Sequence, residues 1–388
     1  MEESLRLGRV AGIPVGINWS LLAVFWLITW SLAAGRLPDR LPGHAAGSYW
    51  AVATVTALLF YVSLLAHETG HAVVARRHGL AVEGITLWLF GGVTRLRGEA
   101  LTPQAELRIA GVGPLVSLGA ACVFAGAAVV TDVVGAGELV GAGFAWLAVI
   151  NVLLAVFNLV PAAPLDGGRI LRAWLWQRHG DRVRASVTAA RSGRVFGYVL
   201  IGVGLMEFAA GAGIGGLWFM FLGWFLLNAA RAEETHVLLR GALAGVCARD
   251  VMTREPHVAP DWVTVDEFIE EHALRNRFSA FPVVDVGGRL TGLVTLTRIK
   301  EVPPERRSSV RVGDVARPLE EVVTAAPAEP LVDLLARLPR DSDGRALVFD
   351  DGQLVGIVTP TDVARAVEWA ALLGRGAQPS VPPDTDGP

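Results

Sequence analysis

The chain has 388 residues, 52% of them hydrophobic and only 18% charged, with 44 glycines and a formal net charge of −3. That composition, with a mean hydropathy of +0.46, excludes a disordered polymer and argues against a single soluble globule. The charge is unevenly spread: residues 1–230 hold 28 of the 71 charged side chains and carry +4, whereas residues 231–388 hold 43 and carry −7. The first part reads as a membrane domain and the second as a soluble one. Neither is basic enough to point to nucleic acid. Cys122 and Cys247 stand alone, so no disulfide framework or cysteine-rich zinc site is expected.

Crossing the hydrocarbon core takes ~20 apolar residues in a helix. Residues 17–35 form the first uncharged run, longer than a signal-peptide core and without a small-residue cleavage pattern. Residues 45–66 form the second, which continues as helix past His67. Residues 83–94 then alternate and turn at Gly91-Gly92, which predicts a β-hairpin. Further uncharged runs cover 109–131 and 139–165, and two more apolar runs cover 195–210 and 214–230. About six spans result, the fifth being short and carrying Glu207. Arginines crowd the connections after spans two and four, while 132–138 and 211–213 have none. By the positive-inside rule both termini are expected in the cytoplasm.

The second run ends in His67-Glu68-Thr69-Gly70-His71, the H-E-x-x-H pattern. Histidines four apart share one helix face and can reach one metal ion. Glu68 beside them can take a proton from water held by that metal. A chance match, a structural zinc or a proton relay are the alternatives, but two imidazoles and a carboxylate at the end of an apolar helix are expensive to bury without use. A third ligand is needed, and Asp166 is the best candidate. It follows Asn158, Pro161, Pro164 and Leu165, where prolines break the helix, and precedes Gly167-Gly168. The competing reading makes Asp166 a helix cap and the two glycines a turn. Span three opens with Gly111, Gly113, Pro114 and Ser117, and the small residues Gly113, Ser117 and Ala121 are spaced to permit close helix packing. No chemistry is assigned to them, and His179 and His236 follow no ligand spacing.

The soluble part repeats itself. Met252-Thr253, a helical stretch, Phe281-Pro282-Val283-Val284-Asp285 and Gly292–Thr295 in one copy match Gly313-Asp314-Val315, a helical stretch, Ala346–Asp350 and Gly356–Asp362 in the other.

Taken together, His67-Glu68-Thr69-Gly70-His71 and Asn158…Pro161…Pro164-Leu165-Asp166-Gly167 resemble the site-2 protease family of intramembrane zinc metalloproteases (peptidase M50 type), and each C-terminal repeat resembles a CBS domain. The resemblance implies a polytopic α-helical membrane domain of about six transmembrane helices, with a membrane-associated β-hairpin, plus a soluble α/β tandem CBS module. The expected boundaries are a protease domain at 1–230, a linker at 231–245, CBS domains at 246–300 and 310–367, and a disordered tail at 374–388. It implies one zinc ion held by His67, His71 and Asp166, with Glu68 as catalytic base. Asn158 is implied near the substrate or oxyanion. Asn18 departs from the histidine many members carry there. Implied partners are the lipid bilayer and single-span membrane proteins such as anti-sigma factors or signal-peptide remnants, together with a second copy of the chain through the CBS domains. Thr359 and Asp362 match the CBS ribose-binding pattern for ATP, AMP or another adenosyl ligand, whereas Arg298 replaces the aspartate in copy one. A CBS-containing transporter or channel that uses the His/Glu/Asp cluster as an ion site is the rival reading.

Overall fold

The computed structural model describes residues 5–89, 91–135, 137–211, 213–276, 278–338 and 344–373. The expected disordered tail at 374–388 lies outside them. The chain divides into two units, Met1–Val237 and Leu238–Pro388.

In the first unit, β1 (Leu5–Val10) and β2 (Ile13–Ile17) form an antiparallel hairpin. It turns at Ala11 and Gly12, both at positive φ. Composition alone did not announce these strands, because Gly8, Gly12 and Gly16 interrupt their alternation. β2 runs parallel to β3 (Ala81–Trp88), and β3 runs antiparallel to β4 (Gly91–Arg97). The sheet order is β1-β2-β3-β4. The expected hairpin at 83–94 is therefore present and longer, with one correction. Gly91 and Gly92 pair within β4 opposite Trp88 and Leu87 rather than making the turn.

The helices follow: α1 (Ser20–Ser31), continued through a π-helical turn at Leu32–Arg36 into α2 (Leu37–Arg40), then α3 (Ala46–Arg77), α4 (Pro103–Val133), α5 (Glu138–Leu159), α6 (Asp166–His179), α7 (Arg182–Ala209) and α8 (Ile214–Ala242). Among the described residues five helical stretches are long and apolar enough to cross a membrane: Ser20–Arg40, Ala46–Arg77, Pro103–Val133, Glu138–Asn158 and Arg182–Ala209. The apolar run 214–230 forms the first part of α8. The fifth segment is not short, because helix begins at Arg182, well before the apolar run at 195, and reaches 28 residues. Asp181 starts it by accepting a hydrogen bond from the Arg184 backbone N–H at 2.9 Å. Leu115, Val123, Val129 and Val133 stay exposed along α4. Such a surface suits a hydrocarbon environment, where every backbone polar group must be satisfied within the helix.

The sheet sits on this helical frame through Ile13, Val15, Leu21, Leu64, Ala72, Ile85 and Leu87, all buried in one cluster. α7 and α8 approach through glycines. A side chain at Gly197 would strike the Gly223 backbone, and one at Gly204 the Gly216 backbone. α8 continues through most of the expected 231–245 linker, ending at Ala242.

In the second unit, two four-stranded sheets have the orders β10-β11-β12-β5 and β6-β7-β8-β9. The strands are β5 (Thr253–Arg254), β6 (Ala259–Pro260), β7 (Ala280–Val284), β8 (Leu290–Thr295), β9 (Arg317–Pro318), β10 (Val323–Ala325), β11 (Ala346–Asp350) and β12 (Gln353–Val358). β5 belongs to the first repeat but pairs with β12 of the second, and β9 of the second pairs with β8 of the first. This reciprocal exchange makes the two repeats one module. Ala280, Leu293, Val322, Leu347 and Ile357, drawn from both repeats, share a buried cluster.

Candidate metal centre

α3 carries His67, Glu68 and His71 at its C-terminal half, all buried. Residues four apart on this helix point the same way, so the two imidazole rings stand 4.9 Å apart between centroids. Asp166 is the first residue of α6, whose N-cap is Leu165, with no side-chain cap bond. The capping alternative is thus not what Asp166 does. Its carboxylate turns from its own helix towards α3, with Oδ2 at 3.2 Å from both His67 Nε2 and His71 Nε2. The two Nε2 atoms are themselves 3.2 Å apart. Three donors at the corners of a triangle 3.2 Å on a side match a tetrahedral zinc site. Ligands ~2.0–2.1 Å from such an ion lie roughly 3.3 Å from one another.

The donor chemistry fits as well. His71 Nδ1–H donates to the Ile109 carbonyl at 2.6 Å, the only role a carbonyl allows, which leaves a lone pair on Nε2. His67 Nδ1 hydrogen-bonds Ser117 Oγ at 2.9 Å, so its Nε2 likewise faces the shared point. A side chain at Gly113 would collide with the Nε2 atoms of both histidines. Gly113 is therefore required for clearance beside the donors.

The loop before α6 explains how Asp166 arrives there. α5 ends at Leu159 and Pro161 follows, with a cis bond between Ala163 and Pro164. Gly167 and Gly168 do not supply unusual backbone angles. Neither has positive φ. Their missing side chains let the first turn of α6 press against the backbone of Leu159, Val160, Ala162 and Ala163.

Glu68 stays out of the triangle. Thr94 Oγ1, on β4, donates to Glu68 Oε2 at 2.9 Å. A side chain at Gly92, two residues earlier on the strand, would overlap the Glu68 carboxylate. The hairpin is thus fitted around this acid. Glu68, the three donors, β4 and Asn158 all border one cavity of ≈ 740 Å³. Asn158 is half-buried near the end of α5. α8 forms another wall, through residues including Phe225, Glu233 and His236. His236, which sequence spacing left as an ordinary residue, therefore borders the cavity.

Sequence reasoning missed Thr94, Ser117 and the clearance roles of Gly92 and Gly113. The small-residue stripe of span three was the available signal for two of them, and it read equally well as plain packing.

In the second unit, Thr359 and Asp362 lie together, but they face each other. Asp362 Oδ2 accepts from the Thr359 backbone N–H at 3.0 Å and from Thr359 Oγ1 at 2.6 Å. Oδ1 accepts from Thr253 Oγ1 at 3.3 Å. The pair closes the start of the terminal helix Pro360–Leu373, as a capping box does. In the first repeat Thr295 caps the helix Leu296–Glu301, and Arg298 donates through Nη1 to the Val315 carbonyl at 3.0 Å.

Both parts of the chain are similar to known proteins. The model of Peptidase family M50 matches residues 55–143 and 135–201, and the CBS domain model matches 248–305 and 312–368. Rip3 of Mycobacterium tuberculosis, named as a zinc metalloprotease, is 50% identical over 369 residues, covering 95% of this chain and 94% of its own length. The protein sll0528 of Synechocystis, similarly named, is 30% identical over 373 residues, covering 96% and 97%. The solved site-2 protease of Methanocaldococcus jannaschii is 27% identical, covers 59% of this chain and 94% of its own, and superposes with a TM-score of 0.41. The transporter reading falls with this kinship: the chain belongs to peptidase family M50, the site-2 type of membrane-embedded zinc metalloprotease, and carries a C-terminal pair of CBS domains.

Proposed function

We propose that His67, His71 and Asp166 hold one zinc ion and that the chain hydrolyses a peptide bond in or near the membrane-spanning segment of single-span membrane proteins. The observation that carries this is the triangle of three donors with the Glu68 carboxylate beside it, all on one cavity. Zinc bound there supplies a Lewis acid for the scissile carbonyl and lowers the pKa of a water molecule. Glu68 is the base that takes the proton from that water and returns it to the leaving amine. Thr94 orients the carboxylate by its hydrogen bond to Oε2. Asn158 donates to the substrate carbonyl oxygen as charge develops on it.

A peptide bond inside a helix is covered by its own hydrogen bonds and must be unwound first. β4 is an edge strand of its sheet and borders the cavity, so its outer edge can pair with the unwound stretch. Substrates of this kind include anti-sigma factors and signal-peptide remnants. Both termini lie in the cytoplasm, on the side of the arginine-rich connections. The CBS pair regulates cleavage, with an adenosyl ligand at Thr359 and Asp362. To bind there, a ribose must compete with the cap between the two residues.

The test uses the full chain in liposomes with a single-span substrate. Cleavage is expected with wild type and not with Glu68→Gln, and it is expected to rise when helix-breaking residues flank the scissile bond. Equal cleavage of a rigid poly-leucine span would refute the unwinding step. Calorimetry with ATP, AMP and S-adenosylmethionine tests the CBS assignment, and no heat from any of them removes the nucleotide.

A further inference from the structure

Glu106 sits in the first turns of α4 and is only 1% exposed. A carboxylate taken so far from water needs close compensation. Here the compensation comes almost entirely from the helix of Asp166. Arg169 Nε lies 3.2 Å from Glu106 Oε1, and Arg172 Nη2 binds the same oxygen. Arg182 Nη2, at the start of α7, stands 3.9 Å from Oε2. Arg172 also faces Glu233 of α8 at 3.7 Å.

The location of this clamp separates it from an ordinary ion pair. Arg169 and Arg172 lie three and six residues after Asp166, on the next two turns of α6. Glu106, Ile109, Gly113 and Ser117 fall at i, i+3, i+7 and i+11, one stripe of α4. The last three members of that stripe meet the two histidines. The Ile109 carbonyl receives His71, Ser117 engages His67, and Gly113 leaves room beside both. The helix of the third donor, Asp166, starts at Leu165 without a side-chain cap bond, and Glu106 grips it through Arg169 and Arg172. α4 thus contributes no ligand, yet it reaches all three.

We propose that Glu106 is a positioning residue of the metal centre. By holding Arg169 and Arg172 it sets the height of α6, and so keeps the Asp166 carboxylate within reach of both histidines. The inference rests on the zinc reading above and deepens it.

The test is made on the purified full-length protein in nanodiscs. Zinc affinity is measured by competition with a chromophoric chelator, and the visible spectrum is recorded with cobalt in place of zinc. Glu106→Gln is expected to weaken zinc binding about 10–100-fold and to change the cobalt spectrum. A role in stability alone would lower the melting temperature and leave both readouts as in wild type, and that result overturns the proposal. If Glu106→Gln does not accumulate, Arg169→Gln decides, because it leaves Arg172 on the buried acid. Its zinc affinity is expected to drop at least about 5-fold, and wild-type affinity overturns the proposal. Asp166→Asn keeps the two failures apart. Undiminished zinc binding in that variant removes the zinc reading itself, whereas zinc loss there beside wild-type affinity in Glu106→Gln removes only the role of Glu106.

Discussion

Asp166 and Asp362 are the same residue type in nearly the same place, the first turn of a helix, in two regions of one chain. Asp362 closes mainly on its own turn: Oδ2 is taken by the Thr359 hydroxyl and backbone N–H, while Oδ1 accepts from Thr253 of the other repeat and stands 4.0 Å from Arg365. Asp166 turns outward to two histidines 95 and 99 residues earlier in the chain. The difference shows what separates a carboxylate spent on capping from one left to reach across helices. The first spends one oxygen on the donors of its own turn. The second leaves its helix end to the backbone and meets groups that have no other reason to converge.

The comparison can be broken most sharply beside Asp166. Glu68→Gln should retain zinc and lose activity about 10²–10⁴-fold, the usual contribution of a general base. Cleavage of a single-span reporter, with zinc content by elemental analysis, checks it. Full activity would remove the base. Asp166→Asn should weaken zinc binding by more than about 100-fold, beyond the loss typical of supporting residues. Equilibrium dialysis against a chelator is the measurement. Gly92→Ala should leave zinc in place but displace the Glu68 carboxylate, lowering kcat about 10–100-fold. If kcat is unchanged, β4 does not fit around the acid as described. The smallest effect belongs to the other aspartate. Asp362→Ala should cost about 1 kcal/mol, the ordinary value of a lost cap, read as a drop of a few degrees in the melting of the CBS module. A larger loss would mean that the bond to Thr253 contributes beyond the cap.

Much of the centre was legible in sequence because its chemistry is local. The spacing of His67 and His71 needs only the pitch of a helix, and Glu68 comes with it. The apolar runs were legible because a bilayer sets their length. Helix ends were less so: α7 starts at Arg182 because helix formation tolerates arginines that hydropathy rejects. The strands β1 and β2 were hidden by glycines, and the role of Gly91-Gly92 was misplaced because a turn and a close approach ask for the same residue.

Sequence by itself therefore determined the two-part organisation, the shared face of His67 and His71 on α3 and the paired CBS repeats, since each depends on spacing within a short stretch. Tertiary structure alone decided that Asp166 is turned to the histidines rather than to its own helix. It decided too that Gly113 and Gly92 are clearances, that Ser117 and Thr94 orient His67 and Glu68, and that Glu106 grips α6. Those roles depend on which atoms meet across helices distant in the chain, and no periodicity records that.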